Sequence, residues 1–129
     1  MNIWTNGCFD IIHIGHIRLF EYAKSLGQIL HVGIDSDRRI KTKKGLNRPI
    51  NAENYRKELL CSIKYIDSVS LFDTDEELED LIKIKNIDII VVGSDYKNLN
   101  VIGSNIVKTV KFFDKIPDIS TTKILNANK

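Results

Sequence analysis

The stretch NIWTNGCFDIIHIGHIRLFEYAKSLG (Asn2–Gly27) decides the fold, because it changes period within a few residues. Asn2–Thr5 reads as a short buried strand, and the Asn6-Gly7 step is a turn signal at which the strand stops and a loop opens at Cys8. From Gly15 the apolar residues Ile17, Leu19, Phe20, Ala23 and Leu26 recur at helical spacing, and Gly27 closes the pattern. The result is strand, loop, helix, with His13-Ile14-Gly15-His16 at the joint. Free N–H groups and the positive end of a helix favour an anion there, glycine allows close approach, and two imidazoles can donate to phosphoryl oxygens. A plain helix cap or a metal pair would use the same residues. Two-histidine metal sites, however, prefer i, i+4 spacing and a third ligand.

Downstream, the strand–helix alternation repeats. Ile29–Ile34 reads as a strand, and Asp35–Arg48, polar and rich in Lys and Arg without periodicity, reads as a mobile basic loop. Asn51 is placed as the N-cap of a helix whose apolar face is Tyr55, Leu59, Leu60 and Ile63. Asp67–Phe72 alternates as a strand does, and Thr74 with Glu77 has capping-box spacing ahead of the stripe Leu78, Leu81, Ile82 and Ile84. Ile87–Val92 is continuously apolar, as in a parallel strand covered on both faces. A weaker helix over Ile102–Val107, a strand over Thr109–Phe113 and a terminal helix capped by Ser120-Thr121-Thr122 complete the reading. The expected fold is α/β: a single three-layer domain over residues 1–129, Rossmann-like, with a mostly parallel five-stranded sheet. Ligands of such sheets bind at the carboxyl ends of the strands, which points to the loops Asn6–His16, Asp35–Arg48 and Gly93–Asn98.

The chain of 129 residues is 43% hydrophobic and 28% charged, the balance of a globular protein. Nineteen basic against seventeen acidic residues leave +2, so no global field argues for nucleic acid and any phosphate affinity must be local. Two distant cysteines, Cys8 and Cys61, fit a reducing compartment, and no export signal or membrane span is read, so a cytoplasmic protein without membrane or nucleic-acid partners is expected.

Thr5-Asn6-Gly7-Cys8-Phe9-Asp10 followed by His13-Ile14-Gly15-His16 resembles the signature of the cytidylyltransferase-like nucleotidyltransferases, a (T/G)xFD segment and then HxGH. Lys44-Gly45, Arg48-Pro49-Ile50-Asn51, Arg56, Tyr65-Ile66-Asp67, Val92-Gly93-Ser94-Asp95-Tyr96 and Ile119-Ser120-Thr121-Thr122-Lys123 resemble further family blocks in the family's order, over nearly the whole chain. The resemblance implies transfer of a nucleotidyl group without a covalent enzyme intermediate, with Mg²⁺ accompanying the nucleoside triphosphate and no protein metal ligands. It implies that His13, His16 and Lys44 act on the triphosphate. Thr5, Asn6, Gly7, Phe9, Asp10, Gly15, Arg56, Gly93, Asp95, Ser120, Thr121 and Thr122 then surround the nucleotide, and Asp10, Arg48, Tyr96 and Lys97 the acceptor. The residue types allow plainer roles: Phe9 as core, Lys41 and Lys43 as a solvated face, Arg56 as a helix charge, Ser120 as a cap. A homodimer through the HxGH helix is expected from the resemblance alone.

Within the family, the run Lys44–Asn51 and the run Gly93–Lys97 resemble the adenylyltransferase domain of heptose 1-phosphate enzymes, implying ATP and a sugar 1-phosphate in carbohydrate metabolism. Lys115-Ile116-Pro117-Asp118-Ile119 departs from that pattern, and Lys115 falls where glycerol-3-phosphate enzymes place an arginine. CTP with glycerol 3-phosphate or another polyol or sugar phosphate is therefore the alternative, and a non-catalytic nucleotide-binding module the second.

Overall fold

Successive side chains of a strand point to opposite faces, and Ile3 and Trp4, neighbours in the first strand, accordingly belong to two different core clusters. The computed structural model describes residues 1–94 and 100–114. Its elements are β1 (Asn2–Gly7), α1 (Ile14–Ser25), β2 (Ile29–Asp35), α2 (Asp37–Lys44), α3 (Glu53–Cys61), β3 (Ser68–Phe72), α4 (Asp75–Ile84), β4 (Ile89–Gly93) and β5 (Thr109–Phe113). The sheet order is β3-β2-β1-β4-β5, and every neighbouring pair is parallel. On one face Ile3, Leu30, Val32, Ile34, Ile89 and Val91 pack with Phe20 and Ala23 of α1 and Leu60 of α3. On the other Trp4, Phe72 and Ile90 pack with Leu78 and Ile82 of α4. The expected α/β sheet of five parallel strands is present, and strand order reverses between β1 and β4. No helix among the described residues is long and apolar enough to cross a membrane.

Four local expectations are corrected. Strand β1 continues through Asn6 and Gly7, which pair with Gly33 and Ile34 of β2, so the turn comes one step later, at Cys8. The basic run is not a loop but helix α2: Ser36 caps it by accepting from the Arg39 N–H at 3.1 Å, and Ile40 is buried. Helix α3 is capped by Ala52 without a side-chain bond and turns Arg56 and Leu60 inward, leaving Tyr55 and Leu59 59% and 47% exposed. Asn51 is not the cap because the helix begins one residue later than expected, at Glu53, which puts Ala52 in the N-cap position. The helix expected over Ile102–Val107 is a pair of turns, closed by Ser104 N–H to Val101 O and Ile106 N–H to Gly103 O. Gly103 has φ +89°, outside helical range, and a Cβ there would lie 2.6 Å from Ile82 Cδ1. Half of the capping box read at Thr74 forms: the Glu77 N–H donates to the Thr74 hydroxyl at 3.1 Å, while the Glu77 carboxylate faces that hydroxyl, at 3.4 Å, in place of the Thr74 N–H.

Gly33, in the middle of β2, makes the closest approach in the core: a Cβ would sit 2.3 Å from Trp4 Cζ2. The indole is fully buried, and its Nε1–H is held by Asn6 Oδ1 at 2.9 Å, so it has little room to withdraw. Gly33→Ala is therefore expected to destabilise the fold by about 1–3 kcal/mol, the usual range for overpacking. The midpoint of urea unfolding measures it, and an unchanged midpoint would mean that the indole yields.

Candidate active site

The site is assembled at the reversal of strand order. β1 pairs with β4 only at Ile3↔Ile89 and Trp4↔Ile90, whereas its ladder with β2 runs on to Gly7↔Ile34. The ends of β1 and β4 thus carry on past their last mutual pair, at the carboxyl edge where ligands of open parallel sheets bind. Gly93, expected near the nucleotide, ends β4 half-buried beside Ser94.

From Gly7 the chain passes through Cys8–Asp10 and Ile11–His13 into α1. His13 is the N-cap: its extended backbone (φ −138°, ψ 178°) turns Nδ1 onto the Gly15 N–H at 3.1 Å. His16, three residues on, returns the bond, its Nδ1 accepting from the His13 N–H at 3.1 Å. This is a reciprocal capping box built from two imidazoles in place of hydroxyl and carboxylate. The rings stack, with centroids 3.8 Å apart and planes inclined by 22°. Because both Nδ1 atoms accept, a neutral ring at either position carries its proton on Nε2. The cap therefore selects the tautomer, and two Nε2–H donors are presented at the positive end of α1.

Beneath them lies a buried support. Phe9, at φ +48°, is 5% exposed and meets both Phe20 and His16 edge-on, at 5.1 and 5.2 Å between centroids. Thr5 and Asp10 are 1% and 0% exposed. The Asp10 carboxylate accepts from the backbone N–H groups of Ile50 and Asn51 at 2.5 and 2.9 Å, and the Asp10 carbonyl accepts from Arg48 Nη2 at 2.6 Å. Arg48 Nε lies 3.6 Å from the same carboxylate, buried and without a hydrogen bond to any of the described residues. Arg56 is wholly buried, with bonds to Asn51 O, Cys8 O, Asp35 O and the Asp37 carboxylate. Of the residues expected at the ligand, Thr5, Phe9, Asp10 and Arg56 are thus buried. Arg48, expected at the acceptor, is mostly buried as well and leans on Asp10. Interior carbonyls and carboxylates need donors, and these charged side chains supply them.

Lys44 closes the arrangement from the other side. It is the last residue of α2, and its ammonium donates to Cys8 Sγ at 3.2 Å, so the end of α2 meets the loop after β1. Lys41 and Lys43 are exposed, and no hydrogen bond to that loop joins them. The start of α2 is pinned by charge: the Arg38 guanidinium, and then the Ser36 hydroxyl, hold the Asp73 carboxyl below its usual range. Arg39 bridges Asp35 at 3.1 Å and Asp75 at 2.7 Å and lies 5.0 Å over the Phe72 ring.

Asp95, Tyr96, Lys97, Ser120, Thr121 and Thr122, all expected at the site, lie outside the described residues. Sequence reasoning assigned nothing to Cys8, which proves to be the partner of Lys44, nor to Asp37, the partner of Arg56. Ser36-Asp37 ahead of a basic run was the available signal for a helix start. Among the described residues no group of three or more His, Cys, Asp or Glu could hold a metal ion. Two shallow surface hollows, of 480 Å³ at Arg18, Glu21, Tyr22, Ser25 and Phe113 and of 380 Å³ at Tyr55, Glu58, Leu59 and Ser62, touch none of the candidate residues.

The family model for cytidylyltransferase-like proteins matches residues 4–127. The bifunctional protein HldE of Campylobacter fetus subsp. fetus is 46% identical over 127 residues, covering 98% of this chain and 28% of that protein. The bifunctional protein HldE of Nitratiruptor sp. is 46% identical over 123 residues, covering 95% of this chain and 26% of that one. The chain spans about a quarter of the length of these curated relatives. Among solved structures, a lipopolysaccharide core biosynthesis protein from Thermoplasma volcanium superposes with a TM-score of 0.72 at 27% identity, over 88% of this chain and 96% of that one.

Proposed function

The chain belongs to the cytidylyltransferase-like family and is a nucleotidyltransferase, and we propose that it transfers AMP from ATP to a sugar 1-phosphate of the heptose 1-phosphate type, releasing pyrophosphate. The observation that carries the reading is the imidazole capping box, which puts two Nε2–H donors at a helix N-terminus with the Lys44 ammonium at the loop beside it. An oxygen of the acceptor phosphate attacks the α-phosphorus in line. The bond from that phosphorus to the bridging oxygen breaks, and pyrophosphate departs with the electron pair. Charge then builds on oxygens around the reacting phosphorus and on the leaving group, and groups already aimed there lower the barrier without reorganising. His13 and His16 donate to those oxygens, the N–H groups at the start of α1 add their dipole, and Lys44 neutralises the α-phosphate side.

Asn6, Gly7 and Gly93 at the ends of β1 and β4, with Gly15 in the first turn of α1, shape the nucleotide's seat, and Thr5, Phe9 and Asp10 support it. The family resemblance assigns Asp95 and Ser120–Thr122 to the nucleotide, and Asp10, Arg48, Tyr96 and Lys97 to the acceptor. The donors present suit a nucleotide that brings its own divalent ion. The loop's own carboxylate, Asp10, is spent on backbone amides, and no cluster of three ligands stands among the described residues. In this reading the divalent ion, Mg²⁺, accompanies the nucleoside triphosphate, where it would withdraw charge from the phosphates.

The preference for a sugar 1-phosphate and ATP rests on the resemblance of Lys44–Asn51 and Gly93–Lys97 to heptose 1-phosphate adenylyltransferases. The likeness to a lipopolysaccharide core biosynthesis protein agrees with it. Pyrophosphate release by the purified protein with Mg²⁺ and heptose 1-phosphate, run with ATP and CTP side by side, tests it. Release with ATP alone is expected. Release with CTP alone, or only once glycerol 3-phosphate is supplied, would replace this reading by the cytidylyltransferase one. Nucleotide binding without release across a broad set of acceptor phosphates would mark a non-catalytic module.

A further inference from the structure

Arg56 is fully buried, yet its only carboxylate partner among the described residues is Asp37, at 2.8 Å and itself 30% exposed. Its other bonds go to three backbone carbonyls from three separate places. Cys8 O, at 3.0 Å, lies in the loop before His13; Asp35 O, at 2.8 Å, ends β2; Asn51 O, at 3.0 Å, lies in the turn before α3. Stability alone is a poor account of this arrangement. A buried ion pair must overcome the cost of taking two charges out of water, and a well-packed aliphatic side chain commonly does as well or better. What an aliphatic side chain cannot do is fix the mutual geometry of three strands of backbone, as a rigid planar fork of five N–H donors does.

The bonds also close a ring. Arg56 holds Asp37, the first residue of α2, and the Cys8 carbonyl. From Asp37 the helix runs to Lys44, and Lys44 returns to Cys8 through its Sγ. A second ring runs through Asp10, which grips Ile50 and Asn51 while Asn51 O accepts from Arg56. Helix α2 has a single fully buried apolar residue, Ile40, so polar ties at its start set its direction. Lys44 is seven residues from Asp37, about 10 Å along the axis, and a tilt of about ten degrees at the gripped end would displace its ammonium by about 2 Å. Misplacement of that size costs a positioned group most of its effect.

We propose that Arg56 is a positioning residue, a buried clasp that sets the spacing between the His13–His16 loop and Lys44 so that both reach one nucleotide. The role rests on the phosphate-handling parts assigned above to those three residues. Arg56→Lys keeps the charge and loses the fork, and Asp37→Asn weakens one bond of the four. Arg56→Lys should lower kcat by about tenfold to a hundredfold with the KM for nucleotide within about threefold of the parent. In a Lys44→Ala background the same change should cost about twofold or less, because the group being positioned is gone. Asp37→Asn should follow the same pattern with a smaller loss, and it carries the test if Arg56→Lys does not fold. Equal losses with and without Lys44 would overturn the proposal, as would a loss confined to KM, which marks direct nucleotide contact. Should the wild-type protein release no pyrophosphate with any nucleotide, the functional reading fails on its own, and amide hydrogen exchange tests the clasp. Arg56→Lys is expected to speed exchange in Cys8–His13 and in Asp37–Lys44 while leaving β1 and β2 slow. Unchanged exchange in both segments overturns the clasp.

Discussion

Replacing His16 with alanine is expected to lower pyrophosphate release about a hundredfold or more, the scale of losing one preorganised transition-state donor, while the protein stays folded. The structural cost can be bounded. His16 contributes one bond of the capping box, to the His13 N–H at 3.1 Å, and a lost cap costs about 1 kcal/mol. Its ring is half-buried, so water can enter the space it leaves, and the edge contact of Phe9 with Phe20 persists. Against the roughly 5–15 kcal/mol by which domains of this kind are stable, the loss is small. What cannot be replaced is the Nε2–H donor, which the cap orients by engaging Nδ1. His16→Asn separates the two roles: an amide oxygen can still take the His13 N–H, but no donor reaches as far as Nε2. Unfolding near that of the parent and turnover as poor as the alanine variant's are expected. Turnover within about threefold of wild type for both variants would remove His16 from the charge-stabilising role.

The double function of this histidine pair explains why one part of the site was legible and another was not. A strand, a glycine-bearing joint and an amphipathic helix in twenty-six residues leave few ways to fold, and both imidazoles fall at the helix start in any of them. Helix α2 was illegible for a physical reason. Its inner face consists of Ile40 and of Arg39, whose guanidinium lies over the Phe72 ring, and one apolar residue in two turns has no period to detect. Helix α3 was legible as a helix but not in its orientation. Apolar patterning turns Tyr55 and Leu59 inward, whereas the interior needed a donor for the carbonyls of Cys8, Asp35 and Asn51, and Arg56 took the place. That demand is created by loops that meet only in three dimensions. The same limit applies to Asp10, whose place in the motif was plain while its work on the Ile50 and Asn51 amides was not. At Gly103 a left-handed residue interrupts an apolar run that otherwise reads as helical.

The helical state of the basic segment is what makes its lysines inequivalent. On an unordered loop Lys41, Lys43 and Lys44 would be interchangeable, each able to reach an anion by chain motion. On α2 they project in different directions at fixed spacing, and it is Lys44, at the carboxyl end, whose ammonium meets Cys8 in the histidine loop. Lys44→Ala is therefore expected to lower kcat about a hundredfold, since its ammonium is the one held at the loop where charge builds on the reacting phosphate. Lys41→Ala and Lys43→Ala should stay within about threefold, because charges that stand in solvent are screened. Stability should change by about 0.5 kcal/mol or less for Lys41 and Lys43, which are exposed and away from special features, and by about 1 kcal/mol or less for Lys44, which is exposed and loses one hydrogen bond. Lys44→Arg adds a control on geometry: it keeps the charge but presents a broad planar fork in place of a compact ammonium. Recovery of only part of the lost turnover is expected from it. Steady-state pyrophosphate release over a range of nucleotide concentrations measures the set. Equal losses at all three lysines would mean that the segment acts as a diffuse cationic surface and that the contact between α2 and Cys8 has no part in the chemistry.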